Sequence, residues 1–283
     1  MSRLTHQNHD RDSVGLTYVY PVLSRRSQGL SIGINLNPNN ACNWACLYCQ
    51  VPNLIRGSAP TVDIELLKQE LRSLLESQRS GALACQFELT PEEAPIRDIA
   101  LSGNGEPTSC PNFAEVTRVI GMIAEEFDLL GRIKLVLITN GSLLDRPNVQ
   151  EGLRQWGKMG GEAWFKLDRG TSKGIEQLNQ TRIRLERVER NLKICCGLLP
   201  TFIQTCLITL DGAPPPKEDT EGYIRLLRSL VESEPTPAGV LLYGLARPSL
   251  QPQAQRIGCI PEEWALRLVE EIRALGLRVS FNP

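Results

Sequence analysis

The sequence predicts an α/β fold in which six parallel strands, each followed by helix, curl into an open, TIM-like partial (βα)6 barrel. Three observations carry this expectation. Strand-like and helix-like segments alternate from residue 30 onwards in the order βαβαβαβαβαβα, which implies a parallel sheet joined by right-handed crossovers. Composition does not break along the way: 283 residues, 41% hydrophobic and 22% charged, suit one domain over residues 18–283 behind a polar tail at 1–17. Polar and glycine-rich turns fall at the C-terminal ends of the predicted strands, where a barrel of this kind carries its chemistry.

Residues 1–15 are rich in Asn, Asp, Arg and Ser, a composition that predicts disorder, and His6 and His9 within them read as solvated. The chain turns apolar at Tyr18 and leads through Pro21 towards the first strand; Arg25 and Arg26 read as an anion contact or, by default, a solvated pair. In 30–36, Ser31, Gly33 and Asn35 share one face while Ile32, Ile34 and Leu36 share the other. That alternation predicts a strand with one face on helices and one on a cavity. A helix over 61–79 follows, capped by Thr61, with Ile64, Leu67, Leu71, Leu74 and Leu75 as its apolar stripe. Gly81, Pro91 and Pro95 make 80–95 a loop or irregular insert. A strand at 97–101 runs into Ser102-Gly103-Asn104-Gly105-Glu106-Pro107-Thr108, and a helix over 112–128 buries Phe113, Val116, Ile120, Ile123 and Phe127.

The third strand, 133–138, breaks at Thr139-Asn140-Gly141. A short helix near 147–157 leads to strand 162–167, helices 174–179 and 185–198, and strand 202–207. The proline run at 214–216 forbids regular structure before a helix at 220–232 and a strand at 240–245. An irregular stretch at 247–259, a helix at 262–275 opened by Pro261, and a short closing strand at 277–281 complete the chain.

Cys42, Cys46 and Cys49 stand in the loop after the first strand with three and two residues between them. Three thiolates within eight positions can close round one inorganic centre. A structural zinc takes four ligands, yet both histidines lie in the tail and the next cysteine is Cys85. A [4Fe–4S] cube ordinarily takes four thiolates; with three, one iron stays open to an outside ligand, a catalytic arrangement. A zinc loop, or three unrelated cysteines among nine, is the plain alternative. Cys85, Cys110, Cys195, Cys196, Cys206 and Cys259 form no CxxC pair and read as small hydrophobes rather than a second cluster.

The CxxxCxxC triad, with Tyr48 before its last cysteine, resembles that of the radical S-adenosylmethionine (SAM) superfamily. The resemblance implies a [4Fe–4S] cluster on three cysteines, with the SAM amine and carboxylate on the fourth iron. It also implies reductive cleavage of SAM to a 5′-deoxyadenosyl radical that abstracts hydrogen from a substrate. An external electron donor, a flavodoxin or ferredoxin, follows by the same resemblance. Gly103 and Gly105 let backbone approach a ligand closely, and 102–107 resembles the superfamily's GGE element, which holds the SAM amino group. Asn104, inserted between the glycines, departs from the simple form.

Further motifs in order (the 21–26 segment, Gly33-Ile34-Asn35-Leu36, Ile138-Thr139-Asn140-Gly141-Ser142, Lys166-Leu167-Asp168) look like the radical SAM group related to 4-demethylwyosine synthase, a tRNA-modifying enzyme. On these resemblances Tyr48, Gly103, Asn104, Gly105, Glu106, Thr139, Asn140, Asp168, Gln204, Tyr243 and Leu245 are expected around SAM, although Asn140-Gly141 fits a plain turn equally well. Lys166 and Asp168 are the expected catalytic pair. They share a strand face with Trp164, and read either as contacts to an anionic substrate and a ribose or as a mutual ion pair.

Wyosine-type tRNA modification is the enzymatic alternative. It predicts a basic stripe and a second cluster on cysteines before the triad, and no cysteine precedes Cys42. A non-catalytic iron–sulfur or zinc protein is the other. A net charge of −1 supplies no global basic field for nucleic acid or anionic membrane, while a local basic patch stays open. No apolar run approaches the ~20 residues that span a bilayer, and the polar start does not read as a secretory signal. Nine cysteines in that setting read as reduced thiols, so the expected location is the cytoplasm.

Overall fold

The structure is a computed structural model that describes Leu4, residues 13–24 and residues 29–283; His6, His9, Arg25 and Arg26 lie outside the described residues. Leu4, in the segment read as a tail, is buried in the main core.

The strands are β1 (Val19–Ser24), β2 (Gly29–Ile34), β3 (Ala41–Cys42), β4 (Ile55–Arg56), β5 (Ile96–Leu101), β6 (Lys134–Thr139), β7 (Glu162–Lys166), β8 (Thr201–Cys206), β9 (Ile208–Leu210), β10 (Gly239–Tyr243), β11 (Ile257–Cys259) and β12 (Val279–Asn282). The helices are α1 (Ile64–Arg79), α2 (Ala82–Phe87), α3 (Phe113–Glu126), α4 (Pro147–Lys158), α5 (Ser172–Asn179), α6 (Leu185–Leu198), α7 (Lys217–Val231) and α8 (Glu262–Arg273). Eight strands form one sheet in the order β1-β2-β5-β6-β7-β8-β10-β12, an open half-barrel. The six strands expected from the sequence are its centre, all parallel. The expected closing strand joins as β12, parallel to β10.

Four further features depart from the expectation. β1 pairs antiparallel with β2 and carries Pro21, whose missing N–H an edge strand tolerates. Its start is tied to α1 by Glu70, a buried carboxylate that accepts from the backbone N–H groups of Thr17, Tyr18 and Val19 at 2.7, 2.7 and 3.3 Å. The stretch read as a loop at 80–95 contains α2, bounded by left-handed Gly81 and Glu88, with Leu83 and Phe87 buried one turn apart. The irregular 247–259 stretch contains β11, which pairs with β9. At the start of α1 the cap is Asp63, not Thr61: its side chain accepts from Glu65 N and Leu66 N.

Alternation along the strands decides what each face meets. Ile32, Ile34, Leu135, Leu137, Phe165, Ile203 and Leu242 are buried with Leu71, Phe113, Ile120 and Trp156 of the helices in the main core. The opposite face carries a smaller group, Ala100, Val136 and Trp164, with Phe202 and Leu241 beside it. Burying a large apolar side chain stabilises by ~1.5–3 kcal/mol, so the helix-covered face supplies most of the stability and frees the concave face for a cavity.

Candidate active site

A cavity of about 310 Å³ occupies the concave side at the C-terminal ends of the strands and is lined by Cys42, Cys46 and Cys49. All three are free thiols. The loop that carries them is shaped before any ligand arrives. Asn40 takes a left-handed conformation, and β3 pairs with β4 to close the loop's base. Between the cysteines the chain turns tightly, with Cys49 N donating to Cys46 O at 3.0 Å.

Three neighbouring elements hold this loop. On the β6 side, Asn43 Nδ2 donates to Ser142 Oγ at 2.7 Å, Ser142 Oγ to Asn140 Oδ1 at 2.7 Å, and Asn140 Nδ2 to Asn43 Oδ1 at 2.8 Å, a closed triangle. At the end of α5, the carbonyls of Leu178 and Asn179 accept from Leu47 N and Ala45 N, so the loop satisfies carbonyls that a helix C-terminus leaves unpaired. From the far end of the chain, Ser249 Oγ donates to Leu47 O and Cys49 O, and Gln251 Nε2 to Cys49 O and Val51 O.

The 103–106 loop lies against the same cysteine segment, and its glycines are sterically required. A Cβ on Gly105 would stand 2.1 Å from the Ala41 carbonyl oxygen, and one on Gly103 (φ +154°) 2.3 Å from Asn35 Oδ1. The second approach is used: Asn35 Oδ1 accepts from Asn104 N at 2.9 Å. Glu106 is 2% exposed and strongly engaged. Its Oε1 accepts from Thr108 N, Thr108 Oγ1 and Thr139 Oγ1, and its Oε2 from Asn140 N at 2.6 Å. Burial pushes its carboxyl above the usual range and the hydrogen bonds pull the other way. Oε2, with one donor, retains room for a second.

Electrostatics at the thiols fit a cationic centre. Burial pushes Cys42 and Cys46 up to about 12. For Cys42 the Trp44 N–H opposes the rise, while Glu106, Cys46 and Cys49 add to it; for Cys46, Asp168 and Cys49 add while Lys166 and Asn179 oppose. Thiolates packed this way repel one another and Glu106, so the deprotonated set requires bound positive charge to neutralise it. Among the described residues no three His, Cys, Asp or Glu side chains group closely enough to hold a single metal ion. With the glycines letting the 103–106 loop pack against the cysteine segment at the cavity wall, the donor set fits an iron–sulfur centre.

Lys166 lines the cavity and donates to the Tyr243 hydroxyl at 2.7 Å, with its ammonium 4.9 Å from the Tyr48 ring centre and 5.2 Å from that of Tyr243. Asp168 behaves differently from the expectation of a shared role. β7 ends at Lys166, and Asp168 turns away to accept from the Tyr48 hydroxyl, from Asn179 Nδ2 at 2.7 Å and from Cys206 N at 2.8 Å. Among the described residues no ion pair joins Lys166 to Asp168.

Of the residues expected at the site, Tyr48, Gly103, Asn104, Gly105, Glu106, Asn140, Lys166, Tyr243 and Leu245 line the cavity with the three cysteines. Thr139, Asp168 and Gln204 do not. Thr139 serves Glu106 from behind, and Gln204 pairs in register with Lys166 on β8, with its Nε2 unpartnered among the described residues. The sequence reading missed Asn43, Asn179, Ser249 and Gln251 as contacts of the cysteine loop. For Asn43, its place immediately after Cys42 was an available signal.

A family model for the radical SAM superfamily matches residues 36–227. A UPF0026 protein of Helicobacter pylori is 29% identical over 178 residues, 59% of this chain and 51% of that protein. The chain spans about half the length of the UPF0026 proteins it matches. A radical SAM methyltransferase from Sphaerobacter thermophilus superposes over 93% of this chain and 68% of its own, with TM-score 0.61. TYW1 with a lysine-pyruvate adduct bound superposes over 86% and 73%, with TM-score 0.55. Both are 15% identical to this chain, so the likeness is one of fold.

Proposed function

The chain belongs to the radical SAM superfamily, and from that premise we propose that it is a radical SAM enzyme in which Cys42, Cys46 and Cys49 hold a [4Fe–4S] centre beside SAM. The observation that carries this reading is that the three thiols and the 103–106 loop face one cavity, the loop's glycines fitting it against the cysteine segment. When bound, the centre and SAM supply one-electron reductive cleavage of the sulfonium and a 5′-deoxyadenosyl radical for hydrogen abstraction.

The chain's own part is placement. Oε2 of Glu106 and the loop carbonyls receive the SAM ammonium, while Thr139 and Thr108 fix the carboxylate. Tyr48, Asn140, Tyr243 and Leu245 form the wall around the nucleoside end. Trp44, Val51 and Leu54 keep water from the same cavity. Asp168 works from outside it, orienting Tyr48. Lys166, held cationic between two phenol rings, receives an anionic group of the substrate. An external one-electron donor of flavodoxin or ferredoxin type is the partner this reading needs. Among the described residues no helix is long and apolar enough to cross a membrane.

The test is anaerobic reconstitution with iron and sulfide, then dithionite and SAM, with 5′-deoxyadenosine quantified beside Cys46→Ala. Deoxyadenosine from the wild type alone is expected. An iron-loaded wild type that makes none refutes the reading.

A further inference from the structure

Asn179 is the last residue of α5 and is 1% exposed. Its Nδ2 lies 3.3 Å from Cys46 Sγ, 2.7 Å from Asp168 Oδ2 and 3.4 Å from the Tyr48 hydroxyl oxygen. Two amide hydrogens therefore serve three acceptors, one of them a sulfur of the cysteine triad. Its backbone carbonyl accepts from Ala45 N at 3.2 Å, so the residue grips the cysteine loop by main chain and side chain together. Gln180 then leaves the helix in a left-handed conformation.

The amide's 2.7 Å bond to the buried Asp168 carboxylate supports the fold, and the same amide carries a cost. The Asn179 Oδ1 is buried with no hydrogen-bond partner among the described residues. An orphaned buried acceptor costs ~1–3 kcal/mol, which offsets the gain from the Asp168 bond. What only the amide supplies is an N–H aimed at sulfur, tied through Asp168 to Tyr48.

Resting on the reading that Cys42, Cys46 and Cys49 hold a [4Fe–4S] centre, we propose that Asn179 is a positioning residue for that centre. It fixes the Cys46 sulfur and, by donating to it, raises the centre's reduction potential. The physical reason is charge. Reduction adds an electron to a centre whose sulfurs already carry negative charge, and a donor on a ligand sulfur stabilises the more electron-rich state. Asp168 beside it opposes this by its own charge, and Asn179 is interposed between that carboxylate and the sulfur.

Two variants of nearly equal size test the inference: Asn179→Leu removes the donor, and Asn179→Asp replaces it by an acceptor. Each would be reconstituted as the full chain, assayed for iron and sulfide, and titrated without SAM by poised-potential EPR. At a fixed potential the reduced-to-oxidised ratio should fall about tenfold in Asn179→Leu, which for a one-electron couple is about 59 mV more negative. It should fall further in Asn179→Asp, where the lost donor and the added charge act together; the fall in Asn179→Leu, which adds no charge, isolates the donor, and a packing role alone predicts none there. A wild type that takes up no iron overturns the cluster reading itself. An iron-loaded wild type and variants with one common midpoint overturn the Asn179 inference alone. If Asn179→Leu fails to fold, Asn179→Ala, which also removes the donor without adding charge, carries the test; all variants melting well below wild type and losing iron would make Asn179 a packing residue and overturn the inference.

Discussion

Lys166 and Tyr243 form a hydrogen-bonded pair across the concave face, Nζ to hydroxyl at 2.7 Å, with the ammonium also over the Tyr48 ring. Burial pushes the Lys166 ammonium down, but Tyr243, Asp168 and Cys46 outweigh it, and the net is above the ordinary lysine range. A raised folded value means that the stabilisation is complete below the unfolded lysine value of about 10.4 and fades only as pH climbs through the higher folded one. Tyr243→Phe removes the acceptor while keeping the ring, so unfolding free energy in urea should fall by ~1–2 kcal/mol. The loss should be flat between about pH 6 and about pH 9. A loss below ~0.5 kcal/mol would show that the hydroxyl is not what holds the ammonium.

Cys42 and Cys46 should be among the slow thiols of the metal-free protein. With Cys42 and Cys46 near 12, about one molecule in 10⁴ carries the thiolate at about pH 8. Cys85 and Cys259 are exposed. Iodoacetamide at that pH, read by peptide mass spectrometry, should label those two at least tenfold faster than Cys42 or Cys46. The sign follows from the raised value. Protonated buried thiols stabilise the loop fully below the ordinary thiol value of 9.0 and progressively less as pH rises towards 12. Fast labelling of Cys46 at about pH 8 would mean that the loop is open without its centre.

Equal substitutions at two glycines should have opposite signs. The Gly105 Cβ direction is filled by the Ala41 carbonyl oxygen at 2.1 Å and Asn37 Nδ2 at 2.5 Å, and a backbone carbonyl has little freedom to give way. Gly105→Ala should cost ~1–3 kcal/mol and lower iron uptake. In the last turn of α6, a Cβ on Gly197 meets only Pro235 Cγ at an ordinary 3.6 Å, so Gly197→Ala should stabilise by ~0.5–1 kcal/mol. Matched urea titrations check both. A neutral Gly105→Ala would show that the two loops are not in forced contact.

What the sequence disclosed follows physical range. The central strands were legible because each repeats a two-residue period, as Ser31 and Ile32 show on opposite faces of β2. The cysteine loop and the 103–106 loop were legible because their chemistry is written in consecutive residues. Period alone misjudged Asp168: it shares a face with Lys166 by count, yet β7 stops at Lys166 and the next peptides turn its carboxylate to Tyr48 and Asn179. β1 was hidden by Pro21, acceptable only because the strand is an edge. Asn179, Ser249 and Gln251 were illegible for a different reason. Their contacts with the cysteine loop reach across 133, 202 and 202 residues, and no local pattern records such a distance.

Those last contacts yield the remaining prediction. Ser249 is buried, and its hydroxyl donates to Leu47 O at 2.6 Å and Cys49 O at 3.1 Å, while Leu250 N and Gln251 Nε2 reach the same Cys49 carbonyl at 3.0 and 3.2 Å. The Cys49 oxygen keeps two donors in Ser249→Ala; the Leu47 oxygen loses one. Gln251 N also loses its acceptor, the Ser249 hydroxyl at 3.1 Å, so the local cost is at least one hydrogen bond, ~1–1.5 kcal/mol or more, which is about a tenfold rise in local opening or greater. Global melting should fall by only ~2–4 °C in a chain of this size. Hydrogen exchange of the metal-free protein should therefore quicken about tenfold or more in peptides spanning 45–51 and stay unchanged in α3. Unchanged exchange in that segment would show that the 249–251 strap rests on the cysteine loop without restraining it.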